Sequence, residues 1–220
     1  MSKIGDPVAV NRHVVQTNHD KFVNQNAVTS RLVGRFLQRT RNRVALLTQP
    51  GDRILDVGAG EGIMTDYLAR SLPDRHVEAL EYELEGCEAL RKAFPHVTVT
   101  QGSIYELPWQ DDSYEVLTAF EVLEHIDDPL RALAEMARVA RRHIVVTVPY
   151  EPFYRMGNMS RGRYLSRLGN TPGHVNHWRR STLERGMAAH LDVAEVVPLF
   201  PWLLGTGATK ATSASGIEPA

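Results

Sequence analysis

Two groups of residues have the types and spacing that chemistry requires, and the first is a glycine turn. Gly58, Gly60 and Gly62 alternate with other residues directly after the short apolar run at 53–57. A buried strand that enters a glycine turn and then a helix is typical of a nucleotide-cofactor site. Glycine permits positive φ and lets the backbone approach a ligand closely. Asp56 lies inside the strand, where its carboxylate needs a partner or a role in ligand binding.

The second group is Glu121, Glu124 and His125, which are spaced i, i+3 and i+4. On a helical turn these three side chains share one face. Two carboxylates and an imidazole suit a divalent ion, and His174 or His177 could supply a further ligand from across a cleft. Two alternatives stay open: a metal-free site in which His125 is a general base, and a purely structural role for these residues.

Alternating strands and helices must position both groups. We expect strands at 53–57, 76–82, 97–100, 114–120, 143–148, 193–199 and 202–204, and helices at 61–71, 85–93, 130–140 and 181–189. This alternation predicts an α/β fold with a parallel sheet and right-handed crossovers. Glu81, near the end of the second strand, follows the glycines by about 20 residues, the spacing of an acid that binds adenosine ribose hydroxyls. Glu83 is the alternative for that role.

The chain is expected to form one cofactor-binding domain with additions. We predict an N-terminal helical cap at 1–49, the domain itself at 50–205 and a disordered tail at 206–220. Residues 150–178 form an insertion after the fifth strand, with a short helix expected at 156–168. A long insertion at the carboxyl edge of an α/β sheet is typical of a lid or a substrate pocket.

Composition excludes several classes of protein. The net charge of −1 makes nucleic acid an unexpected partner, and the single cysteine, Cys87, excludes an intramolecular disulfide. No apolar run reaches the length of about 20 residues that spans a membrane, so we expect a cytoplasmic protein, monomeric or homodimeric. Seven basic residues lie in 10–50 and six arginines in 152–183. They predict an anionic group on the acceptor, or else they form solvated helix faces.

The glycine spacing distinguishes between two classes of cofactor. Dinucleotide-binding turns require a third glycine at position 63, which is Ile63 here. The pattern D-x-G-x-G-x-G instead resembles the first motif of the class I S-adenosylmethionine (SAM) methyltransferases. Further matching stretches are 107–109 (LPW), 112–116 (DSYEV) and 121–125 (EVLEH). The chain from about 50 to 150 is similar to this family, in the large branch that includes quinone-ring O-methyltransferases.

The resemblance implies a Rossmann-like sheet of seven strands with helices on both faces and only the last strand antiparallel. It implies that SAM lies across the carboxyl ends of the first and second strands. The cofactor contacts that it implies are Asp56, Gly58, Ala59, Gly60, Glu81, Tyr82, Ser103, Ile104 and Phe120. The family usually has an aspartate at the position of Ser103, so this chain must rely more on backbone groups around Ile104 to bind the adenine.

The function implied is methyl transfer from SAM to a small molecule, most often at a hydroxyl, as in natural product biosynthesis. The combination E-x-x-E-H plus a distant histidine also resembles the metal site of small-RNA 2′-O-methyltransferases. Carried over, the catalytic and metal-binding residues are Glu121, Glu124, His125 and either His174 or His177. The ion would be Mg, Mn or Zn. An RNA 2′-O-methyltransferase and a non-catalytic SAM-binding regulatory protein remain the alternatives.

Overall fold

The computed structural model describes residues 27–151, 153–160, 162, 168, 170, 171 and 173–210. The helices in these residues are α1 (Ala27–Leu47), α2 (Ile63–Ser71), α3 (Leu84–Ala93), α4 (Pro129–Val139), α5 (Phe153–Ser160) and α6 (Arg180–Ala188). The strands are β1 (Arg53–Val57), β2 (His76–Glu81), β3 (Thr98–Gln101), β4 (Tyr114–Phe120), β5 (Ala140–Pro149), β6 (Leu191–Leu199) and β7 (Trp202–Thr209).

The strands form one sheet in the order β3-β2-β1-β4-β5-β7-β6. Neighbouring strands from β3 to β5 pair in parallel, whereas β7 pairs antiparallel with both β5 and β6. The predicted fold class is therefore confirmed. Because the strand order reverses between β1 and β4, the carboxyl ends of these two strands border the crevice where open α/β sheets bind ligands.

Both faces of the sheet are buried, and this explains why the sequence of β4 is almost continuously apolar. Val116 packs in the cluster that contains Phe36 of α1 and Leu68 of α2. Its neighbour Leu117 belongs to the cluster on the other face, with Leu133 of α4 and further residues of α6. Successive side chains of a strand point to opposite faces, so a strand covered on both sides needs apolar residues throughout. The described part of the expected N-terminal cap therefore contributes α1 to the sheet's own core, whereas residues 1–26 of that cap lie outside the described residues.

Several boundaries differ from the prediction for identifiable reasons. Helix α2 begins at Ile63 because Gly62, its N-cap, has the left-handed φ of 74°. Strand β7 continues to Thr209, so the predicted tail starts within a strand. The tail was predicted from the small and polar residues at the end of the chain, but small residues also suit a closely packed strand. A Cβ on Gly205 would lie 2.5 Å from the sulfur of Met187. Glycine at this position lets β7 pack closely under α6.

The insertion holds a helix, as expected, but α5 begins at Phe153, earlier than predicted. Most of the second half of the predicted helix, and residues 211–220 of the predicted tail, lie outside the described residues. No helix in the described part of the chain combines the length and the apolar character needed to cross a membrane.

Candidate active site

The glycine turn leaves the carboxyl end of β1 with three left-handed residues. Gly58, Gly60 and Gly62 have φ values of 74°, 55° and 74°. A Cβ on Gly62 would lie 2.1 Å from a methyl carbon of Leu90, so this glycine is needed for packing against α3. A Cβ on Gly60 would meet no atom within 4 Å. Gly60 therefore faces open space at the sheet edge, as a cofactor-binding backbone segment must.

Glu81 ends β2 and its carboxylate lies at the glycine turn. The backbone N–H of Gly60 donates to Oε2 at 2.7 Å, and those of Tyr82 and Glu83 donate to Oε1 at 2.9 and 3.1 Å. Of the two acids considered for the ribose role, Glu81 is the one whose side chain contacts the turn. The backbone N–H groups of Gly58 and Ala59 both donate to the carbonyl of Leu80 instead, which ties the turn to β2.

Asp56 was predicted to contact the cofactor, but its side chain is enclosed within the fold. The residue is only 2% exposed, and its two carboxylate oxygens accept hydrogen bonds from Thr65 at 2.6 Å and Thr118 at 2.9 Å. These bonds join β1 to α2 and β4. Burial raises the pKa of Asp56 to about 6, although the two hydroxyls partly oppose this rise. The prediction is therefore corrected: the buried side chain of Asp56 joins the elements around the glycine turn through Thr65 and Thr118 and is not exposed to a cofactor.

Replacing Asp56 with Asn should remove a pH dependence of stability. The pKa of Asp56 is higher in the folded state than in the unfolded chain. The stabilisation that comes from its proton is therefore fully present below about pH 4 and is lost as the pH rises through about 6. A pKa near 6, against a usual 3.8, corresponds to about 3 kcal/mol of unfolding free energy. Urea unfolding at several pH values between 4 and 7 measures this term. If the unfolding free energies of wild type and variant changed with pH in the same way, this prediction would be contradicted.

The other predicted cofactor residues lie at or near the same sheet edge. Tyr82 is 43% exposed immediately beyond β2, and Phe120, at the end of β4, is partly buried. The hydroxyl of Ser103 accepts a hydrogen bond from the backbone N–H of Tyr105 at 3.2 Å, which shapes the turn after β3. Ile104 is buried in the core. Their contacts with adenine stay predictions.

The second cluster contains Glu124, His125 and His174. One ligand atom from each lies within 4.8 Å of the others, and the imidazole rings of His125 and His174 meet edge to face at 4.9 Å between centroids. Glu124 is 1% exposed and His174 is 6% exposed. Two imidazole nitrogens and a carboxylate oxygen suit a transition metal or zinc. Of the two histidines considered as a further ligand, His174 is the one that lies beside Glu124 and His125.

The hydrogen bond at Nδ1 determines the tautomer of His125. Nδ1 lies 3.0 Å from the backbone carbonyl of Gly173. A carbonyl only accepts, so Nδ1 carries the proton and Nε2 keeps its lone pair. Nε2 lies 3.9 Å from Oε1 of Glu124. His125 is therefore oriented to take up a proton or bind a cation through Nε2.

The segment 173–178 is held against the turn after β4 by several hydrogen bonds. The backbone N–H groups of Val175 and Asn176 donate to the carbonyl of Glu124 at 2.9 and 3.1 Å. The side-chain amide of Asn176 donates to the carbonyls of Leu123 and Ile126 at 3.0 and 2.7 Å. These contacts place His174 beside His125. Asn176 was not predicted, because it belongs to no motif and its role depends on how this segment folds against the turn after β4.

Glu121 and His177 lie apart from this cluster. Residues 121–126 form turns and not the helical turn that was predicted, because Glu121 has a φ of 59°. Its Oε2 accepts a hydrogen bond from the indole N–H of Trp202 at 2.8 Å. His177 is exposed over much of its surface. Its pKa is lowered, mainly because part of the ring is buried and to a smaller extent because of the charge of Arg155. The prediction that Glu121 shares a face with Glu124 and His125 is therefore wrong.

A further carboxylate at this edge was not predicted. Glu151 follows β5 and is 5% exposed, and its backbone N–H donates to the carbonyl of Trp178 at 2.9 Å. It lies next to Pro149 and Tyr150 in sequence and belongs to no motif. The only available signal was its position just after a strand, where α/β proteins place functional residues.

Comparison with known proteins agrees with this geometry. Residues 55–146 match a family described as a methyltransferase domain. An uncharacterised methyltransferase of Schizosaccharomyces pombe is 36% identical over 101 residues, which cover 41% of this chain and 36% of that protein. A ubiquinone biosynthesis O-methyltransferase of Aeromonas salmonicida is 35% identical over 116 residues, covering 46% of this chain and 45% of the relative.

Solved structures show the same fold over a longer stretch. Magnesium protoporphyrin IX methyltransferase from Synechocystis, solved with bound S-adenosylhomocysteine (SAH), has a TM-score of 0.66. It is 14% identical, and the alignment covers 90% of this chain and 97% of that one. The curated sequence matches span less than half the length of the relatives named above. Residues 55–146 are thus similar to a methyltransferase domain, and the fold around them is the one found in solved methyltransferases.

Proposed function

We propose that this protein transfers the methyl group of SAM to a hydroxyl of a small-molecule acceptor. The observation that carries the proposal is the meeting of the glycine turn with the carboxylate of Glu81, whose Oε2 lies 2.7 Å from the backbone nitrogen of Gly60. A carboxylate at this position can accept hydrogen bonds from both ribose hydroxyls. The glycine turn and Glu81 would hold SAM, and the carboxyl end of β4, which leads to Glu124 and His125, borders the same crevice.

When bound, SAM supplies a sulfonium-activated methyl group. The chain's own residues must orient the acceptor oxygen in line with that methyl carbon, exclude water and remove the hydroxyl proton. Nε2 of His125 is the candidate base, because the bond from Nδ1 to the carbonyl of Gly173 fixes the ring's tautomer. The nearby carboxylate of Glu124 stabilises the imidazolium that forms when His125 accepts the proton.

A divalent ion fits the same three residues. Glu124, His125 and His174 would hold it through one carboxylate oxygen and two imidazole nitrogens. The Nδ1 bond of His125 to a backbone carbonyl is the arrangement that orients metal-binding histidines. A bound ion lowers the pKa of an oxygen that it contacts, which favours loss of the acceptor's proton near neutral pH. The donor set supports this proposal, and His177 and Glu121 are not needed for it.

The names of two relatives support oxygen as the methylated atom. Two of them are named ubiquinone biosynthesis O-methyltransferases, from Aeromonas salmonicida and Hahella chejuensis. Each is more than 30% identical over a segment that covers less than half of this chain. An oxygen acceptor also matches a site that contains a base at Nε2 of His125, since a hydroxyl must lose its proton during transfer.

Two measurements test the proposal. Titration calorimetry should show one SAM site, and SAM with a radiolabelled methyl group should label hydroxylated aromatic compounds but not short RNA. Labelled RNA would favour the 2′-O-methyltransferase alternative. Tight SAM binding without transfer to any compound or cell extract would favour a regulatory protein. Failure to bind SAM would overturn the proposal altogether.

A further inference from the structure

Glu151 lies beside the proposed acceptor site on an adjacent strand. It follows β5, whereas Glu124 and His125 follow β4, and these strands pair in parallel so that their carboxyl ends meet at one edge. The backbone N–H of Glu151 donates to the carbonyl of Trp178 at 2.9 Å. Trp178 ends the segment that carries His174. Glu151 is therefore tied to the same segment that completes the Glu124–His125–His174 cluster.

The carboxylate of Glu151 has an unusual environment. The residue is 5% exposed, and neither carboxylate oxygen has a hydrogen-bond partner at normal geometry among the described residues. Burial raises its pKa, and only the charge and backbone N–H of Arg155 oppose that rise. A buried carboxylate is costly when the nearby donor, the backbone N–H of Arg155, lies outside normal hydrogen-bond geometry, and native proteins rarely keep such a group without a reason. Binding sites are one place where such a cost is retained, because the ligand supplies the missing bond.

Aromatic side chains lead from Glu151 to the surface. The ring of Phe153 lies 5.0 Å from that of Tyr150 and 6.0 Å from that of Phe200, both in edge-on contact. Phe153 and Phe200 are 42% and 59% exposed. Phe200 is also close in sequence to Trp202, which contacts Glu121 at the end of β4. These three rings follow β5 and precede β7, the strand whose Trp202 contacts Glu121, and they can carry the apolar part of a ligand.

We propose that Glu151 binds a hydroxyl or ammonium group of the acceptor while the acceptor's ring lies on Tyr150, Phe153 and Phe200. This inference rests on the proposed function and names the class of acceptor: an aromatic compound with a second hydrogen-bond donor. The arginine-rich composition of the insertion predicted an anionic acceptor instead. A carboxylate beside the bound ring repels an anion and attracts a donor or a cation, so the two expectations are distinguishable.

The first test needs no acceptor. Glu151→Gln removes a buried charge and should raise the melting temperature by about 2–4 °C. Glu184→Gln, on the exposed side of α6, is the matched control and should change it by less than about 1 °C. A carboxylate that served only to stabilise the fold would give the opposite sign. A lower melting temperature for Glu151→Gln would therefore overturn the proposal.

The second test measures binding to three phenols that carry a para aminomethyl, hydroxymethyl or carboxylate group, each with SAH present. Wild type should bind the aminomethyl compound at least about tenfold more tightly than the carboxylate compound, and Glu151→Gln should remove that preference. Tightest binding of the carboxylate compound, an unchanged preference in the variant, or no binding of any phenol would each overturn the assignment. Neither test requires methyl transfer, whereas loss of the proposed function would appear as failure to bind SAM or to transfer its methyl group.

Discussion

Glu81→Ala should weaken SAM binding by about 100-fold or more. Each ribose hydroxyl that bonds to a carboxylate contributes about 1.5–3 kcal/mol, and the variant loses two such bonds. It also removes the acceptor for the backbone N–H groups of Gly60, Tyr82 and Glu83, so the glycine turn is less well ordered before the ligand arrives. Titration calorimetry with SAM measures the loss directly.

Glu83→Ala is the matched control for this experiment. Glu83 is an exposed acid two residues away, and only its backbone N–H contacts Glu81. Its removal should change SAM affinity by less than about threefold, as for other exposed charges. Glu81→Gln keeps the shape of the side chain and separates the loss of charge from any loosening of the turn. Equal effects of Glu81→Ala and Glu83→Ala would show that SAM affinity depends on the total negative charge at this edge of the sheet and not on hydrogen bonds to Glu81.

The sheet could be predicted from the sequence because its signals are local. Strands β1 and β4 have the predicted bounds, since each is a short apolar run between residues that stop a strand. Glu81 ends the second strand about 20 residues after the glycines, as expected, because this position depends only on a strand and a helix of ordinary length; its contact with ribose stays a prediction. In such cases spacing along the chain determines position in space.

The candidate site was only partly predictable because tertiary contacts decide it. The spacing of Glu121, Glu124 and His125 assumed a helix, but Trp202, from a distant part of the chain, binds the carboxylate of Glu121. His174 and His177 could not be separated by spacing, because both lie in one segment without regular secondary structure. Asp56 needed either a ligand or internal partners, and Thr118, on another strand, could not be identified as a partner from sequence spacing.

Removing one ligand of the proposed metal site should give the largest loss of activity. Glu124→Ala should reduce methyl transfer by about 10²–10⁴-fold, whether Glu124 binds the ion or supports His125 as a base. Activity alone therefore does not distinguish the two mechanisms. Glu124 is also almost fully buried, so the variant's melting temperature must be measured alongside its activity.

Binding of Co²⁺, followed by its visible absorption, separates the mechanisms without an acceptor. If Glu124, His125 and His174 hold an ion, His174→Ala should weaken Co²⁺ binding by about 100-fold, because one of three protein ligands is lost. His177→Ala is the matched control: it removes an exposed histidine three residues away, outside the cluster, and should leave Co²⁺ affinity within about threefold. Exhaustive chelation should then abolish methyl transfer, and Mn²⁺ or Zn²⁺ should restore it. If transfer survives chelation and Co²⁺ binds both variants equally, the metal is excluded, and the base is Nε2 of His125, whose Nδ1 donates to the carbonyl of Gly173.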